Sequence, residues 1–232
     1  MTKTSTITLL IAALLCGTLA TAGTVTQFRG DNRDGKFADT GLLKEWPDGG
    51  PEIVWTATGL GKGYASVSLD NDTIYVPTTL NDDDGYLIAL GLNGKEKWRA
   101  PYGKETRDKQ APGARSALTI DGNRGYLMSG LGAVICIDLD NGKVVWQVNV
   151  LDRFNAPNIQ WEIAESLLID GENLICTPGG KNAAVAALNK NNGDTVWTSK
   201  GLSEESAYCS PDIFLHNGNR LLVTMTEKSV VC

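Results

Sequence analysis

Four serines, Ser66, Ser116, Ser166 and Ser210, each open a stretch of one design: an apolar run, a polar turn and a second apolar run. The residue ahead of each serine varies: Ala65, Arg115, Glu165, Cys209. Two ahead stand Tyr64, Ala114, Ala164 and Tyr208. In a constant frame, the slot that varies is where function is free to sit. Arg115 and Glu165 place opposite charges at equivalent points of neighbouring repeats. If this slot lines a concave mouth, the pair could hold a polar ligand, or the carboxylate could act as a base. Tyr64 and Tyr208 are ligand-binding candidates on the same ground. The structural alternative is that Arg115 and Glu165 pair with each other and fix the register of adjacent repeats. No catalytic residue can be assigned.

Other chemistry-bearing patterns resolve to structure. "GDNRDG" (30–35) and "NDDD" (81–84) resemble calcium loops, but the first puts Arg33 at a ligand position and is followed by no terminal glutamate. Both read as solvated turns. "GLGKGY" (59–64) does not lead from a strand into a helix, as a phosphate-cradling loop would. "CTPGGKNAA" (176–184) reads as a flexible loop between two strands. His216 is the sole histidine and no CxxC occurs, so no metal site is expected. Cys136 and Cys176 fall in apolar strand-like runs, where small buried thiols are expected.

The elements that position these residues are hairpins. "GAVICIDLDNGKVVW" (132–146) is a strand, a tight turn and a strand closed by tryptophan; "GYLIALGLNGKEKW" (85–98) and "AAVAALNKNNGDTVW" (183–197) repeat it. Asn-Gly between apolar runs is a strong hairpin signal, and no stretch sustains a helical period. Joined to the serine-led hairpin before it, each unit has four antiparallel strands. Serines 66, 116 and 166 are 50 residues apart, with 210 following after 44; Trp98, Trp146 and Trp197 are 48 and 51 apart. A four-strand unit at this period predicts an all-β fold, a β-propeller. A blade is apolar on both faces and hides them only against its neighbours. Trp55, Trp98, Trp146 and Trp197 are expected to plug the gaps between blades, with Gly94, Gly142 and Gly193 in the turns.

The ends are unequal. "GPEIVW" (50–55) matches a last strand, and residues 210–232 supply two strands and the start of a third. Either the ends meet in one blade and close a four-bladed ring, or the chain is the front of a larger propeller. The stop at Cys232, inside a strand, favours the second. A free strand edge there would invite self-association.

The phrases "CIDLDNGKVVW", "IALGLNGKEKW" and "AALNKNNGDTVW" resemble the A-x-D-x-x-T-G-x-x-x-W motif of the pyrroloquinoline-quinone-like (PQQ-like) β-propeller repeat family. This family includes quinoprotein alcohol dehydrogenases and the outer-membrane assembly propeller lipoprotein. The opening "QFRGDNRDGKFADTGLLKEWPDGGPEIVW" (27–55) is similar to the entry segment of its exported bacterial members. The resemblance covers about 27–232 and implies a ring of seven or eight blades. It also implies, for the dehydrogenase branch, pyrroloquinoline quinone held with calcium. Asn93, Asn141 and Asn192 stand where the motif has threonine, and the adjacent cysteines of that branch have no counterpart.

Residues 1–22 read as an export signal: Lys3, the apolar run "ITLLIAALLCG" (7–17) and "ATA" before Gly23. The run is too short to span a bilayer. Cys16 follows Leu15 rather than a small residue, which argues against a lipid anchor. The mature chain, 23–232, keeps 20 basic residues (21 less Lys3) against 27 acidic ones, a charge of −7. That balance argues against nucleic acid as a partner. The expected function is an exported, periplasmic or extracellular propeller that binds a protein partner or a small polar ligand at its funnel. The alternative is a quinone-dependent dehydrogenase of alcohols or sugars.

Overall fold

The chain reverses at the Asn-Gly pair of each tryptophan hairpin through the side chain of one residue and the backbone of the next. In the computed structural model, which describes residues 24–232, only the glycine takes a left-handed φ: 75° at Gly94, 73° at Gly142 and 75° at Gly193. The asparagine Oδ1 instead accepts the N–H two residues on, from Lys95 at 3.1 Å, Lys143 at 2.9 Å and Asp194 at 3.0 Å. A threonine hydroxyl makes the same kind of bond more weakly. The asparagine that departs from the family motif therefore keeps the turn. A register shift follows in each hairpin, between Ala89 and Leu90, Cys136 and Ile137, and Ala187 and Leu188. Such bulges add local twist.

These hairpins build antiparallel sheets. The first contains β1 (Ser68–Asp70), β2 (Thr73–Leu80), β3 (Asp84–Gly91) and β4 (Glu96–Lys104) in that order. The second contains β5 (Thr119–Asp121), β6 (Arg124–Met128), β7 (Ala133–Asp138) and β8 (Val144–Asn149). One turn of helix, α1 (Val150–Phe154), follows, capped by Asn149 Oδ1 on the Asp152 N–H. Five residues are too few for a helical period to register, so the sequence predicted none here. The third sheet contains β9 (Leu168–Asp170), β10 (Asn173–Cys176), β12 (Ala186–Asn189) and β13 (Thr195–Thr198). Its loop "CTPGGKNAA", expected to be flexible, holds β11 (Gly179–Gly180), which pairs with β14 (Glu204–Glu205) beyond the sheet. The last sheet has β15 (Asp212–His216), β16 (Asn219–Met225) and β17 (Val230–Val231). Residues 50–55, expected to form a last strand, form none and pair with none of the described strands, so among the described residues the two ends do not share a blade. The expected signal at 1–22 lies outside the described residues.

Trp55, Trp98 and Trp146 each lie on the turn glycine of the following hairpin. A Cβ on Gly94 would stand 2.6 Å from Trp55, one on Gly142 2.9 Å from Trp98, and one on Gly193 2.7 Å from Trp146. Trp146 also donates its Nε1–H to the Lys190 carbonyl at 3.0 Å. Trp197, next in the series, borders an open depression of about 620 Å³ with Leu222 and Val231. Behind the tryptophans, Tyr75, Leu87 and Ala89 of the first blade pack on Leu118, Ile120 and Leu127 of the second. Tyr126, Val134 and Cys136 meet Leu174, Cys176 and Ala186 of the third. Full burial of one such large side chain contributes about 1.5–3 kcal/mol. A blade alone would leave these faces wet.

The innermost strands are tied across the same seams. Ser68 Oγ donates to the Leu118 carbonyl at 2.6 Å, and Thr119 Oγ1 to that of Leu167 at 2.7 Å. The Ala117 N–H donates to Ser166 Oγ at 3.0 Å, and the Ser166 N–H to Ser210 Oγ at 2.9 Å. Two of the repeating serines, Ser166 and Ser210, thus satisfy inner-edge backbone N–H groups across a seam.

Gly142→Ala should cost about 3 kcal/mol, because the methyl collides with Trp98 in a backbone conformation already strained for alanine. Gly122 has φ 57° with open space around it, and Gly122→Ala should cost only about 1 kcal/mol. Urea titration followed by near-ultraviolet circular dichroism compares them; equal losses would contradict the tryptophan contact.

Candidate functional site

The segments joining one blade to the next begin beside the β2–β3 turn, since Lys104 at the end of β4 pairs with Asp84 at the start of β3. These segments, not the strands, carry the candidate residues. Arg115 sits at the centre of a semi-buried network. Its Nη2 reaches Asp108 at 3.0 Å and the Ala111 carbonyl at 2.9 Å, and its Nη1 reaches Glu162 at 3.4 Å. Glu162 comes from the segment after the second blade, with φ at 64°. Its carboxylate accepts from the Arg107 N–H at 2.7 Å and from the Thr106 hydroxyl. Asp108 folds back to accept from the N–H groups of Gln110, at 2.8 Å, and Ala111, at 3.1 Å. Those backbone bonds, Ala111 first, and then Arg115 hold its carboxyl below the usual range. One guanidinium thus locks two inter-blade segments together.

Above this network lies a depression of about 370 Å³ lined by Tyr64, Asp108, Ala111, Arg115, Trp161, Ala164 and Tyr208. Tyr64 is 66% exposed, Tyr208 54% and Trp161 50%. The Tyr208 hydroxyl accepts the Trp161 N–H at 2.9 Å, joining the segments before the third and fourth blades. Three of the four ligand candidates, Tyr64, Arg115 and Tyr208, therefore share one mouth. Glu165 does not join them. It is fully buried, with both oxygens accepting from the Thr177 N–H at 2.9 and 3.1 Å, and Arg115 pairs elsewhere. The direct Arg115–Glu165 contact that the slot suggested is absent among the described residues.

Two features escaped the sequence reading. Trp161 stands between repeats, outside the aligned frame; its one signal was a lone tryptophan in a polar connection. Arg33, read as part of a solvated turn, is 6% exposed. Val25 pairs with Leu69, the Thr26 carbonyl accepts the Ile120 N–H at 2.7 Å, and Arg33 donates to the Ser166 and Leu167 carbonyls at 2.9 and 3.1 Å. This entry segment thus contacts the inner edges of three blades. Burial lowers the Arg33 pKa, opposed by Asp212, Glu165 and Cys209.

The carboxyls that hold protons near neutrality are out of reach. Burial pushes Glu165 up to about 8. Glu105, 1% exposed, is likewise raised to about 8 by burial, against bonds from the Tyr102 hydroxyl at 2.6 Å and the Gly130 N–H at 3.1 Å. Neither lines the mouth. Among the described residues no group of three or more His, Cys, Asp or Glu is placed to hold a metal ion. The mouth thus presents exposed rings over a charge-compensated floor.

Both raised carboxyls bind a proton in the folded chain that the unfolded chain has released once the pH exceeds about 4.5. Stability should therefore fall as the pH rises from about 5 to 8, by up to about 1.4 kcal/mol per pH unit for each group, and then level off. Glu105→Gln should flatten this slope in pH-resolved urea melts. An unchanged slope would contradict a neutral Glu105. Arg115→Ala should cost about 3–5 kcal/mol by stranding Asp108 and Glu162; thermal melts showing a loss under about 1 kcal/mol would mean the network floor is not structural.

A family model described as outer membrane protein assembly factor BamB matches residues 47–148 and 83–231. No curated protein sequence matches significantly. Among solved structures, BamB from Moraxella catarrhalis is 18% identical, with a TM-score of 0.46 over 70% of this chain and 43% of that one. A europium-containing methanol dehydrogenase is 20% identical, with a TM-score of 0.47 over 64% and 27%. The computationally designed Ika4 protein is 11% identical, with a TM-score of 0.51 over 78% and 96%. The chain thus spans less than half the length of the natural structures it resembles.

Proposed function

We propose that this chain, which belongs to the PQQ-like β-propeller family whose model is described as outer membrane protein assembly factor BamB, is an exported binding module that engages a partner at its mouth. The observation that carries this reading is the convergence of Tyr64, Trp161 and Tyr208, from three inter-blade segments, on one depression. Aromatic side chains present large contact area at low entropic cost and are enriched where proteins bind one another. Left half-exposed on a fixed floor, they need little reorganisation to bind. A protein segment or a small polar ligand fits this surface, and a periplasmic or extracellular site of action accompanies the reading.

The family resemblance raises a second reading, a quinone with calcium. The residues here do not fit that group. The mouth carboxylates of Asp108 and Glu162 are already engaged by Arg115 and backbone donors, Glu105 and Glu165 are sealed in the interior, and no two cysteines are adjacent. No catalytic step through a quinone is derived for this chain.

A photo-crosslinking amino acid at Tyr64 or Tyr208, introduced into the chain in its own cells, should give a discrete adduct. The same group at Asn191, on a turn of the third sheet, should give none. Adducts from both sites alike, or from neither, would contradict a binding mouth. Titration with pyrroloquinoline quinone and calcium should show no saturable absorbance change; saturation would favour the dehydrogenase reading.

A further inference from the structure

The depression has a neighbour. Asp108 also lines a second cleft, of about 580 Å³, together with Lys62, Asn81, Asp82, Asp83, Thr106, Arg107, Lys109 and Pro112. The two hollows share one wall, and that wall is the Asp108 loop fixed by Arg115. The charges on either side of it differ in state. Asp108 is compensated by Arg115, and Asp83 is held by Lys104 at 2.8 Å. The exposed side chains of Arg107 and Lys109 form no ion pair among the described residues. Lys62 has only a loose 3.7 Å approach to Asp82, both side chains being mostly exposed. On a chain of formal charge −6, this is a local cluster of cations lacking firm carboxylate partners, set beside an aromatic hollow.

We propose that the mouth and this cleft form one continuous groove for an acidic peptide segment, with an aromatic or large apolar side chain in the depression and carboxylates against Arg107, Lys109 and Lys62. This deepens, and rests on, the reading of the mouth as a binding surface. Charge complementarity selects the class. A basic segment would meet three cations against the one loosely held carboxylate of Asp82, and a neutral one would leave the excess cations without a partner, whereas carboxylates gain charge-assisted bonds to the arginine fork and the lysine ammoniums. The rigid Asp108–Arg115 wall sets the spacing between the apolar and acidic positions. The cationic rim is exposed and so governs specificity and salt dependence more than total affinity.

The test is fluorescence polarisation with two labelled peptides of about a dozen residues. One carries a single phenylalanine followed by alternating Asp and Glu; its twin has every acid replaced by the amide. The acidic peptide should bind about tenfold tighter than the twin at low salt, and the advantage should shrink to about twofold at high salt. The double variant Arg107→Glu, Lys109→Glu should abolish the advantage, while Trp161→Ala should weaken both peptides. Equal binding of the two peptides, or an advantage that survives the double variant, overturns the acidic preference and leaves the mouth standing. Absence of binding by either peptide, with adducts still forming at Tyr64 and Tyr208, overturns the peptide class alone. Loss of both signals removes the binding mouth itself.

Discussion

A tryptophan lying on a glycine of the next sheet is the contact on which the rest of this structure depends. It joins sequence to fold in one step: the glycine is required twice, once for its left-handed φ and once because any side chain would strike the ring. Trp55, Trp98 and Trp146 each cover a turn glycine, and beside these contacts Tyr75 and Leu87, then Tyr126 and Cys136, bury against the following sheet. The serine and threonine bonds close the inner side of each seam. Stability is therefore a property of neighbouring pairs, as expected of repeats that cannot satisfy their own faces.

The proposed binding surface rests on this frame. The strands are committed to packing, so variation is tolerated where the chain crosses from blade to blade. There the sequence places an arginine, two acids and three exposed rings. Arg115 spans two crossings and Tyr208 reaches the crossing before the third blade, so the mouth is tied to the blades beneath. Burying charge is costly unless it is paired and hydrogen-bonded; here Asp108 and Glu162 answer Arg115, and backbone N–H groups complete their coordination. The result is an ordered floor that leaves the rings and the Arg107 rim facing outward.

Much of this was legible in the sequence, and the limits have physical causes. Strand order, turns and the tryptophan seams were readable because each is local chemistry at a fixed period: Asn-Gly, alternating apolar residues, a closing tryptophan. Of the candidates in the varying slot before each serine, Tyr64, Arg115 and Tyr208 line one depression. The slot misjudged Glu165, because alignment gives equivalent backbone positions and not the direction a side chain takes once Thr177 offers its N–H. Arg33 was hidden because its partners are carbonyls more than 130 residues away, which no local pattern reveals. Trp161 and the one-turn helix α1 lie between repeats, where there is no second copy to compare. Residues 50–55, expected as a strand, form none, yet Trp55 still lies on Gly94.

The most direct measurement is hydrogen exchange at four mouth amides whose acceptors are side chains: Arg107 to Glu162, Gln110 and Ala111 to Asp108, and Trp161 to Tyr208. If the inter-blade segments are pre-ordered into a binding floor, these amides exchange slowly, close to those of β3 and β7, before any partner is added. Exchange as fast as in an open loop would show that the mouth is unformed in the free chain, and the account of a rigid floor beneath exposed rings would be wrong.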